Sequence, residues 1–135
     1  MNFVLSVHAA PYASQTGAQA VAFARELLRQ GHEIERIFFY HEGVYQALAS
    51  QVAETAAGTT LLKPTLLQQW QSLADQGVEL AVCISSATKR GVVDEAQQTR
   101  HQLPATSLHP SFVLTGLGQL IAAIEAADRY IEFPA

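Results

Sequence analysis

Residues 78–91 read Val-Glu-Leu-Ala-Val-Cys-Ile-Ser-Ser-Ala-Thr-Lys-Arg-Gly, an apolar run followed at once by small, hydroxylated and basic residues. An apolar run of this length is typical of a strand buried inside a parallel sheet. Cys83, the single cysteine of the chain, falls at the end of that run. It is therefore predicted to lie where a strand ends and a helix begins, with two cationic side chains a few residues further on. That environment lowers the pKa of a thiol and makes it a nucleophile.

The residues before this segment alternate between strand and helix patterns. We predict strands over 3–7 and 34–40, and helices over 15–30, 42–49 and 66–74. Ser14 or Thr16 is expected to cap the first helix, and Gly31 is expected to end it. One face of that helix carries its apolar residues, which are Ala20, Phe23, Ala24, Leu27 and Leu28. Residues 51–64 have no clear period and are interpreted as a helix tail and a loop.

The residues after the Cys83 segment continue the alternation. We predict a helix over 92–102, a short strand over 112–114, a helix from the Thr-Gly-Leu-Gly sequence at 115–118 to residue 126, and a strand over 129–133. The whole pattern predicts an α/β fold with one open, mainly parallel, flavodoxin-like sheet of about five strands and helices on both faces. Residues 1–135 are expected to form a single domain. Function collects at the carboxyl ends of the strands in such sheets, which is where Cys83 is predicted to lie.

Composition excludes some classes of function. The net charge is −4 and no basic cluster exceeds the pair Lys89 and Arg90, which argues against direct nucleic-acid binding. No segment approaches the roughly 20 apolar residues of a membrane span, and no signal peptide is expected. A lone thiol fits a reducing compartment, so a cytoplasmic protein is expected. Charged residues are only 15% of the chain, which predicts a surface partly covered by partner subunits; the alternative is a monomer with an Ala/Gln/Ser-rich exterior.

Cys83 is the candidate nucleophile, and four neighbours are candidate stabilisers of its thiolate. Ser85 or Ser86 can cap a helix whose dipole favours a negative charge. Lys89 and Arg90 add positive charge nearby. The alternative for Cys83 is a small buried packing residue, and the alternative for the two cations is ordinary exposure to solvent.

Arg90 has a second structural alternative, since Asp94 lies four residues after it. That spacing favours an ion pair on one face of a helix. Such a pair would leave Arg90 with no part in the chemistry of the thiol.

The five histidines show no metal-ligand spacing, and no metal or other cofactor is predicted. His8 and His41 each follow a predicted strand, so they could meet Cys83 across the sheet edge and help to form the thiolate. The alternative is that both are ordinary loop residues. No third member of a hydrolytic triad can be named. Residues 115–118 could open a helix as an anion site, but without a Lys and a longer glycine pattern a turn and cap is favoured.

Three stretches together resemble the TusD/DsrE family of sulfur-relay proteins. They are Phe-Phe-Tyr-His-Glu-Gly-Val-Tyr at 38–45, Cys83 followed by Lys-Arg-Gly-Val-Val-Asp-Glu at 89–95, and Thr-Gly-Leu-Gly at 115–118 leading to Asp-Arg-Tyr-Ile-Glu-Phe at 128–133. They occur in the family's order and at similar spacing, and the likeness extends over nearly the whole chain, leaving residues 48–64 and 98–111 without diagnostic motifs. One departure is His-Ala-Ala-Pro at 8–11, where the family pattern has a Gly-Pro turn.

The resemblance implies a sulfurtransferase in which the residue at the position of Cys83 carries a persulfide. It implies a sulfur donor of the TusA type, an acceptor of the TusE/DsrC type, and a heterohexamer with paralogous small subunits of the TusB/TusC or DsrF/DsrH kind. The relay then serves either 2-thiolation of the tRNA wobble uridine or dissimilatory sulfur oxidation. Thiol exchange of this kind requires an ionised and accessible Cys83.

Two other functions remain open at this point. The chain could be a non-catalytic assembly subunit of the same relay, with Cys83 as a packing residue. It could also be a phosphate- or nucleotide-binding flavodoxin-like module that uses residues 115–118. A metal-dependent enzyme built on the histidines ranks last.

Overall fold

Strands and helices alternate along the computed structural model, which describes residues 1–52 and 64–135. The strands are β1 (Asn2–Val7), β2 (Glu33–Phe39), β3 (Glu79–Cys83), β4 (Phe112–Thr115) and β5 (Arg129–Phe133). The α-helices are α1 (Thr16–Arg29), α2 (Leu66–Asp75), α3 (Ile84–Lys89), α4 (Glu95–Arg100) and α5 (Leu117–Ala126). A 3₁₀ helix spans His41–Ala47.

The five strands form one parallel sheet in the order β4-β3-β2-β1-β5. The predicted open, mainly parallel sheet is therefore confirmed. Val7 lies opposite both Phe39 and Phe133, and Cys83 lies opposite Thr115. Because the strands run in the same direction, their carboxyl ends meet along one edge, and Cys83 lies on that edge.

One face of the sheet carries the main hydrophobic core. Alternate strand residues pack there against the apolar faces of α1 and α2, as the two-residue period of a strand requires. The Phe39 ring lies edge-on to Trp70 at 5.0 Å and to Phe112 at 5.3 Å. Phe23, predicted for this core, is instead partly exposed and packs near Phe133.

The opposite face is covered more sparsely, by α5. Phe38, Ala81 and Cys83 form a small buried cluster there, with Tyr40 and Leu120 packed against it. In α5, Ala123 is buried while Leu117 and Ile121 are exposed. None of the helices in the described part of the chain combines the length and apolar character needed to cross a membrane.

Several predicted boundaries need correction. The N-cap of α1 is Gln15, without a side-chain hydrogen bond, although the Ser14 hydroxyl accepts from the Thr16 N–H at 3.3 Å. The helix predicted over 42–49 is the 3₁₀ helix. The helix predicted over 92–102 is the shorter α4, because the Asp94 carboxylate accepts from the Gln97 N–H at 2.9 Å and starts the helix there. Most of the loop predicted over 51–64 lies outside the described residues.

Glycines end both long helices of the main core, as predicted for Gly31. Gly31 has φ +85° and Gly77 has φ +93°, a left-handed conformation that residues with a Cβ rarely adopt.

A buried glutamine joins three segments that pack on the main core. Gln46 is 1% exposed; its side-chain N–H donates to Ala9 O at 2.9 Å, and its Oε1 accepts from Trp70 Nε1 at 3.1 Å. These bonds satisfy buried polar groups of the loop after β1, the 3₁₀ helix and α2. They fix the position of the 3₁₀ helix, which follows β2, relative to the carboxyl end of β1.

Candidate functional site

Cys83 is at once the last residue of β3 and the N-cap of α3, so the chain passes from strand to helix without a loop. Its backbone is extended, with φ −60° and ψ 116°. Ser85 and Ser86 were expected to cap the helix that follows. The structure places both inside its first turn instead, where their N–H groups have no helical acceptor and are free to meet the cysteine.

The two serines provide the polar surroundings of the sulfur. The Ser85 hydroxyl lies 3.4 Å from Cys83 Sγ. Burial alone would raise the pKa of the thiol, but hydrogen bonds from the Ser85 hydroxyl, from the N–H and hydroxyl of Ser86, and from the Ser85 N–H outweigh it. The pKa of Cys83 is therefore lowered from its ordinary value. Hydrogen bonding to the thiolate, and not a neighbouring charge, is the cause.

The thiol is nevertheless buried. Cys83 is 1% exposed and belongs to the cluster with Phe38 and Ala81, against which Tyr40 and Leu120 pack. The accessibility that thiol exchange requires is therefore not met in this structure. Phe38 and Ala81 are strand residues, whereas Leu120 projects from a helix that is itself largely exposed.

Lys89 and Arg90 lie at the far end of α3 and differ in their contacts. Arg90 Nη2 pairs with Glu42 Oε1 at 3.3 Å, and Arg90 Nη1 donates to Ser86 O at 3.1 Å. Lys89 is exposed, and no hydrogen bond or ion pair joins it to another described residue. The alternative of an Arg90–Asp94 pair is wrong, since Asp94 caps α4.

His8 and His41 lie at the same edge of the sheet as Cys83 but on the other side of Tyr40. The Tyr40 N–H donates to Val7 O at 3.1 Å, so Tyr40 continues β2 beside His8. His8 and Cys83 are thus two strand spacings apart, about 10 Å between backbones. The His8 and His41 rings are 5.6 Å apart, and the Tyr40 and His41 rings 4.0 Å. The structure brings the two histidines together with Tyr40, whereas the side-chain hydroxyl beside Cys83 Sγ is that of Ser85, at 3.4 Å.

The polar residues that complete this histidine cluster were not predicted from the sequence. The Ser6 hydroxyl is 2.7 Å from His8 Nε2, and the Tyr130 hydroxyl donates to Glu132 Oε1 at 2.9 Å. Burial lowers the pKa of His8, against an opposing effect of Glu132, and His41 lowers it further. The signal was present: Ser6 interrupts the apolar β1, and Tyr130 and Glu132 are two residues apart in β5, which places them on one face.

Residues 115–118 act as a turn and helix start. Gly116 is the N-cap of α5 and makes no side-chain cap bond, while the Thr115 hydroxyl reaches Gly116 O at 3.5 Å. Two surface cavities, of about 400 and 710 Å³, are lined by other residues. Among the described residues no group of three or more His, Cys, Asp or Glu is placed to hold a metal ion.

Comparison with known proteins points to one family. The model of the DsrE/DsrF-like family matches residues 1–133. The chain is 40% identical over 134 residues to a protein named sulfurtransferase TusD from Cronobacter sakazakii, covering 98% of this chain and all of that one. It is 37% identical over 139 residues to a putative sulfurtransferase DsrE from Allochromatium vinosum, covering 98% of each.

A solved structure has the same fold. The ychN protein from E. coli superimposes with a TM-score of 0.76, covering 98% of this chain and 99% of that one, at 18% sequence identity. At that identity the likeness concerns the fold alone.

Proposed function

This chain belongs to the DsrE/DsrF-like family, and on that basis we propose that it is a sulfurtransferase that carries sulfane sulfur as a persulfide on Cys83. The observation that carries the proposal is the position of the thiol. Cys83 ends a central strand at the carboxyl edge of the sheet, and the turn that follows it supplies hydrogen bonds that lower its pKa. The relatives named sulfurtransferase support a role in sulfur transfer.

The chemistry is a pair of thiol exchanges. The Cys83 thiolate attacks the outer sulfur of a donor persulfide, the donor S–S bond breaks, and the donor leaves as a thiolate. Cys83 then holds the outer sulfur as a persulfide. An acceptor thiolate attacks that same sulfur and releases the Cys83 thiolate, so each step transfers one sulfur atom without net oxidation. Since Cys83 is the single cysteine, no second thiol of the same chain can discharge the persulfide as a disulfide.

Burial of the thiol sets a condition on this chemistry. A side chain that is 1% exposed cannot be attacked by a second macromolecule until something above it moves. Leu120 is the neighbour of the cluster that can yield most easily, because it belongs to α5 and not to the sheet. We expect Leu120→Ala to increase the rate of Cys83 alkylation by iodoacetamide several-fold, measured by intact mass. Leu117→Ala, at an exposed position of the same helix, is the control and should leave the rate unchanged.

The proposed partners follow from the family and from the surface. We propose a donor of the TusA type, an acceptor of the TusE/DsrC type, and a cytoplasmic heterohexamer with small subunits of the TusB/TusC or DsrF/DsrH kind. Exposed apolar side chains at Val113, Leu117 and Ile121, in a chain with 15% charged residues, support a surface that partner subunits cover. The end use is tRNA wobble-uridine 2-thiolation or dissimilatory sulfur oxidation.

One experiment tests the carrier role. Purified protein is incubated with a persulfide donor, and its intact mass is compared before and after treatment with a reductant. The wild type should gain one sulfur atom that the reductant removes, and Cys83→Ser should gain none. Equal loading of the two proteins would exclude the proposal.

The burial of Cys83 favours one competing function, a non-catalytic subunit of the same relay. In that case the wild type would assemble with the paralogous subunits but would load no sulfur, either alone or in the complex. Loading only in the complex would support the carrier role and would mean that assembly uncovers the thiol.

A further inference from the structure

Arg90 joins α3, which follows Cys83, to the 3₁₀ helix, which follows β2. Its guanidinium donates to Ser86 O, in α3, at 3.1 Å and through two nitrogens to Glu42 Oε1, in the 3₁₀ helix, at 3.3 Å each. Its side chain is 21% exposed, so these contacts are partly shielded from water. One planar side chain thus holds a carbonyl of α3 and a carboxylate of the segment after β2 together.

The carbonyl of Ser86 is available to Arg90 because α3 ends tightly. In a continuing α-helix the backbone N–H of residue 90 would bond to this oxygen. Here the Arg90 N–H donates instead to Ala87 O at 3.0 Å, and the Val92 N–H donates to the same oxygen at 2.8 Å. The side chain of Arg90 therefore donates to Ser86 O in place of the backbone N–H.

We propose that Arg90 is a positioning residue for Cys83: by linking Ser86 to Glu42 it holds the first turn of α3 in place against the sulfur. Ser86, whose carbonyl accepts from Arg90, lies in the first turn of α3 next to Ser85, whose hydroxyl is 3.4 Å from Cys83 Sγ. Movement of that turn would therefore weaken the hydrogen bonds that favour the thiolate. The inference deepens the function proposed above and rests on Cys83 being the reactive group.

A direct charge effect of Arg90 on the thiol is the competing explanation. The charged and titratable groups around the turn are Lys89 and Arg90 at its far end, and Tyr40, His41 and Glu42 on the facing segment. The ion pair with Glu42 offsets the charge of Arg90, whereas Lys89 is exposed without such a pair among the described residues. If charge alone mattered, removing Lys89 should affect the thiol at least as much as removing Arg90.

The test is a titration of the Cys83 thiolate by its ultraviolet absorbance, with Cys83→Ser as the blank, in wild type and four variants. Arg90→Ala and Glu42→Ala each cut one end of the link and should move the midpoint to higher pH. They should slow alkylation at pH 7 by about three- to tenfold. Arg90→Lys keeps the charge but not the planar fork and should behave more like Ala than like wild type. Lys89→Ala should match wild type.

The outcomes separate the explanations. An unchanged midpoint in Arg90→Ala, or an equal rise in Lys89→Ala, would overturn the positioning role. If Arg90→Ala fails to fold, Glu42→Ala decides: a raised midpoint with an unchanged melting temperature supports the link, and an unchanged midpoint overturns it. The titration needs no sulfur donor. A protein that shows these midpoints but takes up no sulfur would exclude the carrier function and leave the role of Arg90 intact.

Discussion

At Cys83 two opposing effects act on a single sulfur atom. Burial disfavours the thiolate, and hydrogen bonds from Ser85 and Ser86 favour it more strongly. The proposed carrier role would use both effects, because a persulfide open to water would lose its outer sulfur to small reductants. The arrangement lowers the pKa of the thiol without a cationic partner.

Replacing Ser85 with Ala tests that reading of the thiol. The variant loses the hydroxyl 3.4 Å from the sulfur, so the pKa of Cys83 should rise and its alkylation at pH 7 should slow about two- to fivefold. The rate is measured by intact mass at several pH values. Ser72→Ala, at an exposed position of α2, should react like wild type. A Ser85→Ala protein with the wild-type pH profile would show that the hydroxyl has no influence.

His8 should make the stability of the protein depend on pH. Burial lowers the pKa of His8 from its ordinary value of 6.5, against Glu132 and with help from His41. At pH values between 6.5 and the lower pKa of His8 in the folded chain, the unfolded chain binds a proton that the folded chain does not. The contribution of His8 to the free energy of unfolding is therefore fully present above about pH 6.5 and is lost as the pH falls. His8→Gln should flatten the fall of the melting temperature below pH 6.5, and a slope equal to that of wild type would contradict this.

At the scale of secondary-structure elements, the strands were predictable and the joints between elements were not. Five apolar or alternating runs identified the five strands, because burial in a parallel sheet leaves a strong composition signal. The cap of α3 was predicted at Ser85 or Ser86, after its true position, because Cys83 is itself the N-cap and no turn residues mark the boundary. The capping role of Asp94 competed with a plausible ion pair to Arg90, and spacing alone did not separate the two.

The link from Arg90 to Glu42 illustrates why the site was only partly predictable. The two residues are 48 positions apart in the chain, and they meet because β2 and β3 are neighbours in the sheet. His8 and His41 were correctly predicted to lie at the carboxyl edge of the sheet. Their distance from Cys83 depends on the strand order, which places β2 and Tyr40 between His8 and Cys83.

Gly43 is required for the packing of the 3₁₀ helix against β1. A Cβ at this position would lie 2.0 Å from Val7 O, so the 3₁₀ helix can pack on the end of β1 only with glycine there. We expect Gly43→Ala to lower the free energy of unfolding by about 1–3 kcal/mol, measured by urea denaturation. Gly118→Ala is the matched control, since a Cβ there meets nothing within 4 Å. Because Gly118 lies within α5, its replacement should be neutral or slightly stabilising, and equal losses in both variants would contradict the packing argument.

At the scale of the whole molecule the two faces of the sheet are unequal. The face under α1 and α2 holds the large aromatic core, with Phe39, Trp70 and Phe112 in edge contact. The other face holds Cys83 and the small cluster around it, against which Leu120 of α5 packs, and the polar pair of Ser6 and His8. Cys83 therefore lies on the face on which less of the protein's own chain is packed.

That inequality predicts self-association when the chain is purified without partners. Ile121 is 57% exposed on α5, and Val113 and Leu117 are also exposed and apolar, so copies of the chain should associate through this face as concentration rises. Ile121→Lys should shift the distribution toward monomer in sedimentation velocity. Tyr12→Lys introduces the same charge at an exposed position before α1 and should not. A wild-type chain that stays monomeric at high concentration would contradict the proposal that partner subunits bind this surface, because it would show that the apolar face is stable when exposed to water.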